Sequence, residues 1–194
     1  PVLGDSCLFP SVPAVQIFRA PTDNDKSFGN WLAKDWQNNR LDAPDYDTRP
    51  LKWRQLSDGT IQVTSGCTVR GLSGSIVTEL LYTITGDGQL EIEAVFRPEG
   101  GLPELPRLGI VLPIRSGLDH FTWYGRGPWE NYPDRKASCF VGLWSGKVSE
   151  QYTHYPRPQD SGNKEDVRFL ELTDDYGKGI RVEAVGKTFS ASAL

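Results

Sequence analysis

Residues 75–96, SIVTELLYTITGDGQLEIEAVF, decide how this chain folds. Ser75 to Thr85 is rich in β-branched residues, and a second run, Gln89 to Phe96, begins directly after Gly86-Asp87-Gly88. Glycine reaches positive φ without a Cβ clash, so Gly-Asp-Gly between two such runs predicts a tight hairpin turn. In the second run Leu90, Ile92, Ala94 and Phe96 fall on one face, with Glu91, Glu93 and Val95 on the other. That is the period of a half-buried antiparallel strand.

Working outward, Ile61 to Val69, Arg107 to Arg115, His120 to Tyr124, Cys139 to Val148, Val167 to Thr173, Gly179 to Val185 and Thr188 to Ala193 read as further strands. The last three are separated by turn-like Asp174 to Gly179 and by Gly186-Lys187. Strands at short spacing, with 20 Gly and 14 Pro, predict an all-β sandwich or barrel. One helix is expected near residues 26–38, with Trp31, Leu32 and Trp36 covering one side and Asp25 or Ser27 as its cap. The Pro/Gly-rich stretch Arg97 to Pro106 reads as a loop between two strands of one sandwich. No internal repeat, low-complexity tract or interdomain linker stands out.

Composition removes several classes. The 194 residues carry 21 Lys+Arg against 25 Asp+Glu, a formal charge of −4. The acidic isoelectric point of about 5.2 argues against a nucleic-acid partner, which would call for basic clustering. No run approaches the ~18 apolar residues of a membrane span. Six Trp, seven Tyr and eight Phe argue against disorder. Cys7, Cys67 and Cys139 are odd in number and far apart, without the paired spacing of a zinc site or disulfide framework. The chain begins at Pro1 and contains no methionine, so it is expected to be a piece of a longer protein.

Three segments depart from plain strand requirements. In Phe18-Arg19-Ala20-Pro21-Thr22-Asp23-Asn24-Asp25, short polar acceptors follow a proline. Such side chains bond their own backbone and favour a structural turn, while a cation site or hydroxyl binding is the functional alternative. In Trp123 to Arg135, glycines point to close backbone approach. Aromatics beside Asn, Asp and Arg suit either sugar recognition or a buried loop with satisfied polar groups. Glu130 and Asp134 can be read as a glycosidase acid/base pair, but nothing in the spacing fixes their separation. Tyr152 to Arg168 is a polar, proline-broken loop, either facing a ligand or connecting strands. The two histidines, His120 and His154, are candidates for sugar-ring proton transfer only if they prove not to be packed or merely exposed.

Taken together, FRAPTDND at 18–25, LPRLGI at 105–110, WYGRGPWENYPDRK at 123–136 and PQDSGNKEDVR at 158–168 resemble one family. It is the small-chain, C-terminal sandwich domain of bacterial glycoside hydrolase family 2 β-galactosidases of the lac type. The resemblance implies a large two-sheet antiparallel β-sandwich of the galactose-mutarotase-like kind. Residues 1–194 would form a single domain, truncated at its C-terminus and matching roughly the N-terminal two-thirds of the family's. It implies a parent that hydrolyses terminal β-D-galactosides with retention, using two glutamates on an earlier barrel domain, where magnesium and sodium also bind. No catalytic role, metal or cofactor is therefore carried onto this fragment. Its expected partners are the galactoside in the parent active site and the other domains of the parent, itself a homo-oligomer of the bacterial cytoplasm or periplasm. Neither nucleic acid nor membrane is expected.

The resemblance further implies a substrate-adjacent loop over Lys26, Ser27, Phe28, Gly29 and Asn30, with Gly29 as its hinge. It marks Arg19, Asp23, Asn24, Asp25, Arg126, Glu130, Asn131, Asp134, Arg135, Asn163, Asp166 and Arg168 as signature positions with structural roles. The family's late GDDSW-like motif, whose tryptophan stacks beside the leaving group, has no counterpart before Leu194, and Trp123, Trp129 and Trp144 match other positions. An accessory role in a β-galactosidase follows. The alternatives are an independent carbohydrate-binding module and an aldose-epimerase-like enzyme.

Overall fold

The computed structural model describes the chain apart from Pro1, Gly4, Asp5, Ser27, Phe28, Asn30 and Leu194. The chain starts with a short pair, β1 (Val2–Leu3) and β2 (Ser6–Cys7). It then builds one compact unit from Pro13–Leu112 and a second from Pro113–Leu194, which also takes in Val2–Val12. The all-β class expected from the sequence is what the chain adopts: antiparallel sheets carry the fold, and among the described residues α-helix is confined to two short segments. None of the described helices is long and apolar enough to cross a membrane.

The first unit contains β3 (Ala14–Gln16), α1 (Asp23–Lys26), α2 (Leu32–Asn38), β4 (Asp45–Thr48), β5 (Lys52–Gln55), β6 (Ile61–Arg70), β7 (Gly74–Ile84), β8 (Leu90–Gly100) and β9 (Gly109–Val111). Its main sheet runs β4-β6-β7-β8, with β5 also on β6, while β3 pairs with β9. The β7–β8 hairpin is as expected. Leu80 faces Ala94 and Thr78 faces Phe96 in register, and the loop closes with Thr85 N–H on Gln89 O at 3.1 Å and Gly88 N–H on Thr85 O at 3.2 Å. Asp87 Oδ1 accepts from the Thr85 hydroxyl at 2.5 Å. Only Gly88, at φ +90°, needs the left-handed region.

Val69, Ile76 and Leu80 of the sheet pack with Val15, Ile17, Trp36 and Leu41 in the first core. Trp36 is 1% exposed, and its indole N–H donates to Glu104 O at 2.8 Å, so the ring buries a large apolar area with no polar group left wanting.

Several expectations need correction. The 26–38 helix is two helices, α1 ending at Lys26 and α2 beginning at Leu32. Asp25 does not cap α2 but lies within α1, and Trp31 stands at the start of α2 without a side-chain cap; the other expected cap, Ser27, is outside the described residues. Trp31 and Trp36 do not share a covered side, because five residues turn a helix by about 140° past one full turn; Trp31 is 62% exposed. Arg97 to Gly100 continue β8 instead of looping, with Pro98 opposite Ile76. β8 is the outermost strand of its sheet, where a missing N–H costs no ladder bond. Arg107 to Arg115 contains only the three-residue β9.

The second unit contains β10 (His120–Gly127), β11 (Phe140–Lys147), a 3-10 turn at Val148–Gln151, β12 (Lys164–Val167), β13 (Phe169–Thr173), β14 (Gly179–Glu183) and β15 (Phe189–Ala191). Its sheet runs β11-β10-β13-β14, with β12 paired to β15. Phe121 and Trp123 alternate onto one face of β10 and stack at 4.9 Å, and with Leu170, Leu172, Val167 and Leu118 they form a second core. Three glycines permit this packing. A Cβ on Gly127 would stand 2.6 Å from the Trp144 indole, one on Gly142 3.3 Å from the same ring, and one on Gly125 3.0 Å from Val167 Cα. Trp144 also donates to Gly125 O at 3.2 Å.

The hairpin turn gives a paired prediction. Gly88→Ala should cost about 1–2 kcal/mol, the strain of placing a Cβ at positive φ. Gly86→Ala, with open space around its ideal Cβ and no such φ, should change stability by less than about 0.5 kcal/mol. Urea unfolding of both variants checks this, and equal costs would contradict the turn geometry.

Candidate functional site

The first signature segment folds into a fixed node of the first unit. The Arg19 guanidinium reaches Asp25 Oδ2 at 2.7 Å and Oδ1 at 3.3 Å, with side chains 14% and 9% exposed. Thr22 N–H and Oγ1 both donate to Asp25 Oδ2, at 2.6 and 2.8 Å, so the Asp25 carboxylate satisfies the start of α1 as a capping box does. Burial pushes the Asp25 carboxyl up, but the Arg19 hydrogen bond and those from Thr22 outweigh it and leave it below its ordinary value. Arg19 also lies 5.4 Å over the Trp36 ring, tying α1 to α2. Asp23 and Asn24 occupy the exposed side of α1. Of the expected substrate-adjacent loop, Lys26 is exposed on α1 and Gly29 is exposed at φ +81°; Ser27, Phe28 and Asn30 lie outside the described residues.

The other two signature segments meet in the second unit. Glu130, its side chain 9% exposed, accepts at Oε1 from Arg135 Nη2 at 2.9 Å and from the Tyr155 hydroxyl, and at Oε2 from Gly162 N–H at 2.8 Å. Arg135 lies 4.6 Å over the Tyr132 ring, and Tyr132 donates to Asp160 Oδ2 at 3.0 Å. Burial drives the Tyr132 phenol far above its ordinary value, with Asp160 and Glu130 adding to the shift. Asn131, 0% exposed, donates to Trp129 O and Arg126 O and accepts Glu165 N–H at 2.9 Å, while Asn163 Nδ2 donates to Asn131 O at 2.8 Å. Two buried amides thus stitch the 129–136 loop to the 160–166 loop.

Arg126 Nε meets Asp166 Oδ2 at 2.5 Å, and its Nη1 donates to Cys139 O at 2.8 Å. That hydrogen bond first, and Lys136 next, hold the Asp166 carboxyl below its usual range despite partial burial. Asp166 itself adopts φ +54° where the register of β12 shifts, a bulge position that Asp tolerates better than most residues. Arg168 Nη1 closes the bulge on Asp166 O at 2.5 Å. Asp134 is exposed on the turn that closes when Arg135 N–H donates to Tyr132 O. The arrangement therefore does not present Glu130 and Asp134 as a cleft-facing pair: Glu130 is spent on three donors, and Asp134 stands outside.

Sequence reasoning had singled out neither Tyr155, Asp160 nor Lys164 individually. Lys164 is 2% exposed with its ammonium 5.0 Å from the Trp123 ring centroid, and burial lowers its amine below the ordinary value against the pull of Glu130 and Cys139. No local signal marked it, because Lys164 opens a strand of sequence Lys-Glu-Asp-Val in which a charged residue looks ordinary. Of the histidines, His120 meets Asp175 at 2.7 Å and Lys147 at 2.9 Å on an exposed rim, and His154 packs edge-on against Tyr152. Among the described residues, no group of three or more His, Cys, Asp or Glu side chains could hold a metal ion. A cleft of about 410 Å³ opens on α2 of the first unit, lined by Trp31, Lys34, Asp35 and Asn38.

Fold and framework together define an antiparallel β domain whose signature residues hold its loops. The chain belongs to the β-galactosidase small-chain family, whose model matches residues 2–194. It is 36% identical over 169 residues to a β-galactosidase of Priestia megaterium, covering 87% of this chain and 16% of that protein. It is 32% identical to a β-galactosidase of Lactobacillus delbrueckii subsp. bulgaricus, covering 94% and 18%, and 31% identical to one of an Arthrobacter species, covering 89% and 18%. The chain thus spans under a fifth of the curated relatives it matches.

Two measurements test this framework. Glu130→Ala leaves Arg135 and a main-chain N–H facing a void and should cost about 3 kcal/mol. Asp134→Ala should cost less than about 1 kcal/mol in the same urea titration. Lys164 adds a pH signature. Its folded-state value is depressed, so its contribution to stability is complete only above the unfolded value of about 10.4 and is lost as pH falls through the folded value. Stability of the natural chain should therefore rise with pH across that alkaline window relative to Lys164→Met. Parallel profiles would contradict the assignment.

Proposed function

We propose that this chain is a non-catalytic accessory domain of a β-galactosidase, shaping the edge of an active site whose bond-breaking groups lie on another domain of the same protein. The observation that carries the reading is the fate of the signature carboxylates. Retaining glycoside hydrolysis needs two carboxyl groups about 5–5.5 Å apart, facing one sugar. Here Asp25 is held by Arg19 and Thr22, Glu130 by Arg135, Tyr155 and Gly162, and Asp166 by Arg126 and Lys136. Family membership over residues 2–194, in relatives more than five times as much protein, supports the same division of labour.

On this reading terminal β-D-galactosides are the parent's substrates, and the two glutamates with the magnesium and sodium sites sit on its barrel domain. The Lys26–Asn30 loop would lie near the substrate. The domain's partners are the rest of that chain, within a homo-oligomer. A second reading, a sugar-binding module in its own right, is favoured by one observation, the exposed Trp31 beside the α2 cleft.

The test is hydrolysis of o-nitrophenyl β-D-galactoside by the 194-residue chain. Release of nitrophenol should not exceed the buffer rate. Turnover that disappears in Glu130→Gln or Asp134→Asn would overturn the accessory assignment.

A further inference from the structure

The main sheet of the first unit sorts its residues by face, and the strand register fixes the sorting. Residues directly opposite on antiparallel strands project to the same side. Trp53, Val63, Tyr82 and Ile92 are paired in one row across β5, β6, β7 and β8, and Ile61, Ile84 and Leu90 stand in the next row. Both rows continue the face on which Val69, Ile76 and Leu80 pack with Trp36. Every charged residue of β4 to β8 falls on the opposite face, where Arg70 pairs with Asp47 and Arg97 with Glu79.

The uncharged face is covered along only part of its length. Among the described residues, the core reaches Tyr82 and stops. Ile61, Val63, Ile84, Leu90 and Ile92 lie outside it and are half-buried, and Trp53 is 73% exposed. Four strands ~4.8 Å apart and two rows ~7 Å apart give, with side-chain reach, an apolar area of about 20 by 13 Å. A sheet face of this kind is satisfied by a second apolar layer packed about 10 Å away.

We propose that this end of the sheet is a self-association surface, and that its occupant is the same surface of a second copy of this chain. The surface carries no charge, so two copies meet there without like-charge repulsion. Its profile is uneven. β5 and β8 bound it, with the exposed indole of Trp53 at one edge and the half-buried Leu90 and Ile92 at the other. A two-fold axis parallel to the strands turns β5 of one copy over β8 of the other, so each indole covers the other copy's Leu90 and Ile92. Val63 then faces Tyr82 across the axis. The area from both copies stays below the ~1,200 Å² of a stable complex, so the expected dissociation constant is about 0.1–1 mM. The proposal stands on the sheet alone and is independent of the accessory role.

Sedimentation equilibrium of the 194-residue chain from about 0.02 to 2 mM, a range that brackets the expected constant, tests this. The mean mass should climb from 21.6 kDa toward twice that value. Over the same range the ¹⁵N-labelled Trp53 indole signal should shift, while that of Trp36, bonded to Glu104 O, stays fixed and reports folding. Trp53→Glu and Ile92→Lys should each weaken association at least tenfold, whereas Leu143→Glu, at an exposed site of the second unit, should change it less than twofold. Residues 53 and 92 lie three strands, ~14 Å, apart within a copy but opposite each other across the two-fold axis. The double variant Trp53→Glu with Ile92→Lys should therefore bind at least threefold more tightly than either single one. Where Ile92→Lys unfolds, Trp53→Ala, which alters only an exposed side chain, should still weaken association at least threefold. A mass that stays at 21.6 kDa throughout overturns the proposal, as does equal weakening by Leu143→Glu. A folded double variant with no recovery overturns the two-fold arrangement.

Discussion

A carboxylate drawn almost wholly out of water must be met by donors, and Glu130 imposes that demand on the second unit. Its two oxygens take a guanidinium, a phenol and a backbone N–H from residues up to 32 positions away, at Arg135, Tyr155 and Gly162. Leaving any of these unmatched would cost more than the bond itself contributes. The neighbouring residues follow from the same demand. Arg135 stacks on Tyr132, Tyr132 reaches Asp160, and Asn131 and Asn163 tie the two loops at the backbone. These irregular segments are held together by specific partners for Glu130, Asn131, Tyr132 and Asn163.

This framework explains what could and could not be read from the sequence. The β7–β8 hairpin was legible because its determinants are adjacent: β-branched runs, alternating polarity and a Gly at the one position of positive φ. A strand from His120 was expected, but that Phe121 and Trp123 share one face and stack there was found only in the structure. The helix region misled because two tryptophans five apart suggest a shared face that the helical repeat denies. β8 outran its expected end because a proline is harmless on an outer strand, which depends on sheet order and not on local sequence. Glu130, by contrast, meets Gly162 across 32 residues, a pairing no local period encodes. The spatial partners of the motif residues, such as Asn163 for Asn131 and Asp166 for Arg126, emerged only in the fold.

Charged groups in this chain sort by what they touch. Asp25, Glu130 and Asp166 lie in the family-signature segments, and each is bonded to several donors. Lys34, Asp35 and Asn38, in a stretch with no motif, are the side chains left available around an exposed ring.

The seating of Trp144 against Gly127 and Gly142 has an evolutionary consequence. With 2.6 Å between the ring and a hypothetical Cβ, any side chain at residue 127 would force the Trp144 indole out of its seat. Shrinking residue 144 would admit a side chain at 127, but a protein that took the small residue first would pass through a cavity. Substitutions at these positions are therefore strongly epistatic, and their joint effect departs from the sum of the single ones. Divergence within the family should keep the tryptophan and its glycines as one inherited block, and should alter all of them together if it alters any.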